Sequence, residues 1–351
     1  MSLPAIFKVS PTYSEDLLAL LRRTQLGTNG AIYRHLDTSI RIQQLVNPLF
    51  VYIQRYDKVL GNITFCRRIL PDNTTVFYIR YFAFDQHWSA SSSESKSTSA
   101  SKSTLLRKGI SLFFDELFEG KYDGIPEMCY AYIEPNNSRS IWMAESFQFN
   151  VIASIKTVAV SRYFPKKMNS CKRLFGEWLE HYSTLLHDTY ANHNLFFPHH
   201  TLKDQPIYGC VENGRLTMAC KAHIVNWEII RLPGSFGNVL IRVIPYIPLL
   251  NRIIKPKSHR FVVIEGLVAD SIAPQNLNSF LEHILADTQT NLLVYWYDQN
   301  DCVRANMLGK LRKGLAKYIV PKQEIKLVAK FNSNKPRDLS KPFYVSAFDL
   351  I

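Results

Sequence analysis

The sequence predicts an α/β protein with a mixed sheet, laid down as two tandem copies of one fold. Apolar strand-like runs alternate with amphipathic helical runs, which calls for a mixed sheet with helices on its faces. The order of elements before residue 164 returns after residue 205. Two short stretches recur as well. Moved by 164 positions, Glu134-Pro135-Asn136-Asn137 falls on Asp298-Gln299-Asn300-Asp301 and Met143 falls on Met307. Phe82-Ala83-Phe84-Asp85 likewise resembles Leu267-Val268-Ala269-Asp270. The division implied is a first unit over 1–165, a connecting helix and loop over 166–205, and a second unit over 206–351.

Each element has a local reason. Ala5 to Ser10 reads as a strand. Ser14 is placed to cap a helix whose apolar face is Leu17, Leu18, Leu20 and Leu21. A second helix includes "IRIQQLV", and a hairpin turns around Asp57 to Gly61. "TVFYIRYFAF" is apolar at nearly every position and reads as a central strand. Ser89 to Thr104, mostly serine, predicts a mobile loop. A helix marked by Leu112, Phe113 and Leu117 follows, then the strand "MCYAYIE", the helix "NNSRSIWMAESF" and the strand "VIASIKTVAVSRY". A connecting helix over Leu174 to His193 leads to the second unit. Asn213-Gly214 predicts a tight hairpin there. "RFVVIEGLVAD", "NLLVYWYDQND", "EIKLVAKF" and "PFYVSAFDLI" read as its further strands, with helices between the first three.

Composition narrows the function classes. With 46% hydrophobic residues the chain can build packed cores, and a net charge of +13 favours anionic partners: a phosphorylated cofactor, a nucleic acid or an anionic membrane surface. No apolar run is long enough to span a membrane, and the N-terminus lacks a signal-peptide pattern. The scattered cysteines form no C-x-x-C pair, which predicts reduced thiols in a cytoplasmic protein and no zinc. His181, His187, His193, His199 and His200 lack metal-ligand spacing, so no metal is expected. Phe236 to Lys257 is apolar, broken by Pro245 and Pro248 and bounded by bases. It reads as a helical cover on the sheet, or as a lid or membrane-touching segment. Arg304 to Lys341 is strongly basic and offers either a solvated face or a surface for a polyanion.

Two junctions carry candidate chemistry. In "LLRKGIS", Gly109 follows Arg107 and Lys108 at an expected helix start. There free backbone N–H groups, the helix dipole and two cations would hold a phosphate. In "YAYIEPNNSRSIWMAESFQF" a strand ends at Glu134 and a helix opens at Asn137.

Taken together these two strand-turn-helix units resemble the GNAT N-acetyltransferase superfamily. Its fourth strand leads to a pyrophosphate loop of pattern R/Q-x-x-G-x-G/A, and its fifth to a helix of pattern N-x-x-S/A-x-x-L-Y-x-x-x-G-F. This chain keeps Gly109, Asn137, Ser140, Met143 and Phe149. It has Leu106 and Ser111 at the ends of the loop pattern, Ala144 in place of the usual tyrosine and Gln148 in place of the usual glycine. The second copy has no glycine in "DSIAPQNLNSF" and is expected to be degenerate.

The resemblance implies transfer of an acyl group, most simply acetyl, from acyl-CoA to an amine. Binding of the cofactor would fall to Phe82, Ala83, Phe84, Arg107, Lys108, Gly109, Ile110, Ser111, Asn137 and Ser140. Backbone N–H groups near Ala83 and Phe84 would polarise the thioester carbonyl. Glu134 or Asp85 would take the amine proton, and Tyr132, Tyr130 or His87 would replace the missing tyrosine acid. Two other readings remain: a Fem-like transferase using aminoacyl-tRNA, and a pair of folds that binds a ligand or partner without catalysis.

Overall fold

The computed structural model describes residues 4, 6–27, 31–85, 96–203, 206–234, 236–269, 274–319, 324–332 and 338–351. For 96–106, 274–275 and 319 it describes the backbone alone. The first part of the chain forms β1 (Phe7–Ser10), α1 (Glu15–Arg23), β2 (Ile32–His35), α2 (Thr38–Gln43), β3 (Pro48–Arg55), β4 (Lys58–Ile69), β5 (Thr75–Phe84), α3 (Lys96–Phe118), β6 (Met128–Ile133), α4 (Ser138–Ser146) and β7 (Asn150–Ser161). The connecting region holds β8 (Cys171–Arg173), α5 (Glu177–Tyr190) and α6 (Pro198–Thr201). Then come β9 (Ile207–Glu212), β10 (Arg215–Arg231), α7 (Gly237–Val243), α8 (Pro248–Ile253), β11 (His259–Ala269), α9 (Pro274–Asp287), β12 (Leu292–Asp298), α10 (Cys302–Gly309), α11 (Ala316–Ile319), β13 (Ile325–Phe331) and α12 (Ala347–Leu350).

All the strands join one mixed sheet of order β1-β3-β4-β5-β6-β13-β7-β12-β11-β10-β9-β8, with β2 paired to β10. Late strand β13 lies between β6 and β7, antiparallel to both. Strand β7 is long enough to pair with β13 by its first half and with β12 by its second. Helices cover the sheet: Phe113, Phe114 and Leu117 of α3 pack with Phe65 and Phe77. Leu277, Phe280, Leu281 and Ile284 of α9 pack with Val262 and Leu293.

Local expectations are met where side chains act on their own backbone. Ser14 accepts the Leu17 N–H at 3.2 Å and caps α1. Asn213 and Gly214 both take positive φ, 49° and 72°, and close the β9–β10 hairpin. Asn137 Oδ1 accepts the Ser140 N–H and Asp301 Oδ1 accepts the Arg304 N–H, each at 3.0 Å. The two caps are 164 positions apart, as the repeat requires.

Four expectations are corrected. Part of the serine-rich stretch expected as a mobile loop lies outside the described residues, but 96–104 form the opening turns of α3. Serine and lysine extend a helix cheaply once its packed portion has paid for nucleation. Gly109 consequently sits inside α3 rather than at a helix start. A Cβ there would lie 2.2 Å from the Phe7 ring, so its smallness serves close packing of α3 on β1. The closing segment 342–351 is not a strand but a short helix preceded by a single bridge, Asn194 to Phe343. Its backbone is satisfied by side chains instead of a ladder: Glu265 accepts the Ala347 N–H, and Arg80 donates to the Phe348 and Ile351 carbonyls. Cys171 and Cys210, expected reduced, are joined in a disulfide across opposed positions of β8 and β9. Strand β2 was not foreseen; its partner lies on β10, far along the chain.

Candidate active site

Parallel strands β5 and β6 pair only over Val76–Tyr78 and Met128–Tyr130. Beyond that they part, although β5 runs on to Phe84 and β6 to Ile133. A bulge sharpens the parting. Asn62 opposes Ala83 and Thr64 opposes Arg80, so Tyr81 and Phe82 together face Ile63. Tyr81 holds φ at 52°, a costly backbone for a tyrosine. The Asn62 side-chain amide donates to the Tyr81 carbonyl at 2.9 Å and pins the bulge.

A cavity of about 540 Å³ occupies the parting. Successive strand residues face opposite sides of a sheet, and both sides contribute here. Ile79, Ala131 and Ile133 look toward α3 and α4, where Ile110, Phe114, Met143, Phe147 and Phe149 complete an apolar chamber. Tyr78, Arg80 and Tyr132 look the other way, toward Tyr33, His35, Trp227 and Trp296. The cavity is therefore a slot through the sheet, apolar on one side and aromatic and polar on the other.

Glu134 stands at the end of β6 and lines the slot. Its carboxylate accepts the Tyr33 hydroxyl at 3.0 Å. Burial raises its pKa above the ordinary carboxylate range, and the Tyr33 bond offsets part of that rise. Tyr33 itself is pushed well above the usual phenol value by burial and by the Glu134 charge. Its ring stacks on Trp227 at 4.1 Å, and His35 stacks on the same indole at 5.4 Å. Burial, then Arg80 and Arg41, lowers the His35 pKa to about 3, so its imidazole is neutral. His35 Nε2 and Trp227 Nε1 are buried without a hydrogen-bond partner, and both residues line the slot.

The closing segment forms part of the same wall through Asp349, Leu350 and Ile351. Arg68 donates to the Asp349 carboxylate and, at 2.8 Å, to the Tyr130 hydroxyl; all three are buried. Tyr78 donates to the Asp349 carbonyl. Ser346 donates to Glu265 at 3.1 Å from the other side.

The structure brings only some of the expected site residues together. Glu134, Tyr132, Phe82, Ile110, Asn137 and Ser140 come together in the slot. Ala83 and Phe84 belong to the same bulged strand but do not line it, and Tyr130 is engaged with Arg68. Arg107, Lys108, Gly109 and Ser111 lie along α3, where Arg107 reaches the Ser146 carbonyl at 3.5 Å. Asp85 is removed from the slot: it pairs with Arg23 at 2.7 Å and its N–H goes to the Leu60 carbonyl. His87 lies outside the described residues. Tyr33, His35 and Trp227 were missed because β2 and the far end of β10 carry no motif, and Trp296 because nothing sets it apart within the apolar run of β12.

The second unit repeats the parting in closed form. β11 and β12 pair over Val262–Ile264 and Leu293–Tyr295 only. Gly266, with φ at 60°, and Leu267 together face Cys220, as Tyr81 and Phe82 face Ile63. Here the gap is filled. Tyr182 donates to the Gly266 carbonyl and Tyr190 to the Leu267 carbonyl, each at 2.8 Å. Tyr190 also reaches Tyr295 on β12 at 3.3 Å and takes a bond from Arg304 at 3.1 Å.

The arrangement of the whole chain is shared with solved structures. N-myristoyltransferase from Saccharomyces cerevisiae, solved with bound myristoyl-CoA, superposes with a TM-score of 0.57 at 8% identity, over 95% of this chain and 84% of that one. A tandem GNAT protein of the clavulanic acid biosynthesis pathway gives a TM-score of 0.53 at 10% identity, over 94% of this chain and 100% of that one. This chain has the tandem GNAT fold. A GCN5-related N-acetyltransferase from Sphaerobacter thermophilus gives a TM-score of 0.50 at 8% identity, over 97% of this chain and 100% of that one. No family model matches the sequence, and no curated protein matches it either. In GNAT terms the open parting is the first copy's and the plugged one the second copy's. Among the described residues no cluster of His, Cys, Asp and Glu is arranged to hold a metal, and no helix is long and apolar enough to cross a membrane.

Proposed function

We propose that the protein is an N-acyltransferase that takes an acyl group from acyl-CoA and passes it to an amine. The carrying observation is the slot through the sheet at the β5–β6 parting, with Glu134 at its boundary. The pantetheine arm would lie in the parting beside Phe82, Ile110, Asn137 and Ser140. Side chains of Arg107 and Lys108, rather than a helix start, would meet the CoA phosphates. The apolar chamber favours an acyl chain longer than acetyl, a view supported by the fold shared with a protein solved with myristoyl-CoA. The acceptor amine would enter from the aromatic side, between Tyr33, Trp227 and Tyr132.

In the reaction the amine nitrogen attacks the thioester carbonyl carbon. The C–N bond forms, the C–S bond breaks, and the amine proton passes to Glu134. Hydrogen-bond donors at the Tyr81–Phe82 bulge would meet the oxyanion. Tyr132, its pKa raised by burial first and then by the Asp349 charge, stays protonated, lines the slot and would give its proton to the thiolate. The test is release of free CoA thiol from acyl-CoAs of rising chain length, with small amines and N-terminal peptides as acceptors. Amine-dependent release that rises with chain length is expected. Absence of release and of saturable acyl-CoA binding at every length would remove the proposal.

A further inference from the structure

Between Glu228 and Glu265 the chain carries no acidic residue. Within that interval it leaves β10, passes through α7, a 3-10 turn at Ile244–Tyr246 and α8, and returns as β11. One face of the excursion is anchored: Ile244, Ile253 and Ile254 are buried against Tyr163, Ile229, Leu232 and Leu315. The other face is apolar and open to solvent. Phe236 is 79% exposed, Val239 58%, Tyr246 85% and Leu249 54%. Exposed Phe164 adjoins it, with the Arg252 guanidinium 4.3 Å from its ring centre. Arg242, Arg252, Lys255 and Lys257 are all exposed along the same excursion.

Single exposed apolar residues are ordinary, but this many within one short excursion mark a contact surface. The sign of the charge says what covers it. Apolar side chains interleaved with cations, and no acid among them, match the boundary between acyl chains and anionic headgroups. A second copy of the chain would bring the same cations face to face. The excursion also joins the slot: Leu232 and Pro233 before it and Ile254 near its end line that cavity.

We propose that Phe236 to Lys257 docks the protein on an anionic lipid bilayer and turns the rim of the slot toward the lipid. Val239, Tyr246 and Leu249 enter the headgroup–acyl boundary while Arg242, Arg252, Lys255 and Lys257 meet lipid phosphates. Docking stands whether or not acyl transfer is the chemistry within.

The experiment is sedimentation of the full chain with vesicles of phosphatidylcholine alone and of phosphatidylcholine with an equal part of phosphatidylglycerol. Binding to the anionic vesicles only, released by salt, is expected. The pair Val239→Asp and Leu249→Asp, and separately the pair Arg242→Glu and Lys255→Glu, should each lower the partition by about ten-fold or more, each charged contact adding about 1 kcal/mol. All four sites are exposed, so the thermal transition should be unchanged. Tyr246→Trp gives a reading free of any folding defect: its added emission should shift to the blue on anionic vesicles. Equal binding to both vesicles, no binding, or no blue shift overturns the proposal. So does a concentration-dependent dimer, abolished by the same substitutions, in place of lipid binding.

Discussion

The Tyr33–Glu134 hydrogen bond ties β2 to the end of β6 and sets how readily Glu134 ionises. Tyr33→Phe removes a donor that favours the carboxylate, so the Glu134 pKa should rise. The acidic limb of the kcat/KM profile should then move to higher pH with its plateau largely kept, as a pH–rate series would record. Glu134→Gln should cost 10²- to 10⁴-fold in rate, roughly the worth of a positioned base. It should not lower the melting temperature. A carboxylate whose folded pKa is raised is disfavoured by the fold at neutral pH, so loss of that charge is neutral or stabilising. The Arg68–Asp349 pair behaves oppositely. Both partners are buried, so Asp349→Ala strands a guanidinium and should cost about 3–5 kcal/mol in denaturant unfolding. Glu134 and Asn137 were legible because a strand end and a helix cap are written within a few residues of each other. Tyr33, His35 and Trp227 meet only through the pairing of β2 with β10, which no local pattern encodes. The positive φ of Tyr81 was likewise hidden, whereas its counterpart Gly266 is a residue suited to that backbone.

At the level of elements, α3 decides between two roles for one glycine. If Gly109 serves packing, Gly109→Ala drives a methyl into the Phe7 ring and should cost about 1–3 kcal/mol of stability. Calorimetry on the folded fraction should find acyl-CoA affinity little changed. A full loss of affinity with unchanged stability would instead restore a phosphate-binding role. The paired caps at Asn137 and Asp301 explain why the repeat was readable: a cap acts on its own next turn and tolerates no shift. The end of the chain was misread for the converse reason. Its alternation looks like a strand, yet Glu265, Arg80 and Tyr78 bid for its backbone from elsewhere in the fold.

Over the whole molecule, the sheet crosses the boundary that the repeat suggests. Strand β13 supplies the neighbour that both β6 and β7 need, and β2 fastens the first unit to β10. Calorimetry should therefore show one cooperative transition rather than two. A fragment of residues 1–165 should lack near-ultraviolet dichroism. Acid should loosen the structure through Glu265. Burial alone would raise its pKa, but Lys221 and His223 reverse that and hold it well below the usual glutamate value. Its contribution to stability is full above the unfolded value of about 4.3 and drains away as pH falls toward the folded one. The alternation of strands and helices gave the mixed sheet and its tandem order, but the parting of β11 from β12 shows only in the folded chain. Which of the two partings is open came only from the tyrosines of α5.

The insertion of β13 also fixes an order of events. On the ribosome the first twelve strands and their helices emerge while the place between β6 and β7 is still vacant. At about 5–20 residues per second that vacancy lasts for many seconds. Two unpaired strand edges wait through that interval, β6 on one side and β7 on the other. Slow translation, or a cell short of chaperones, should therefore cost this protein more yield than its final stability would suggest.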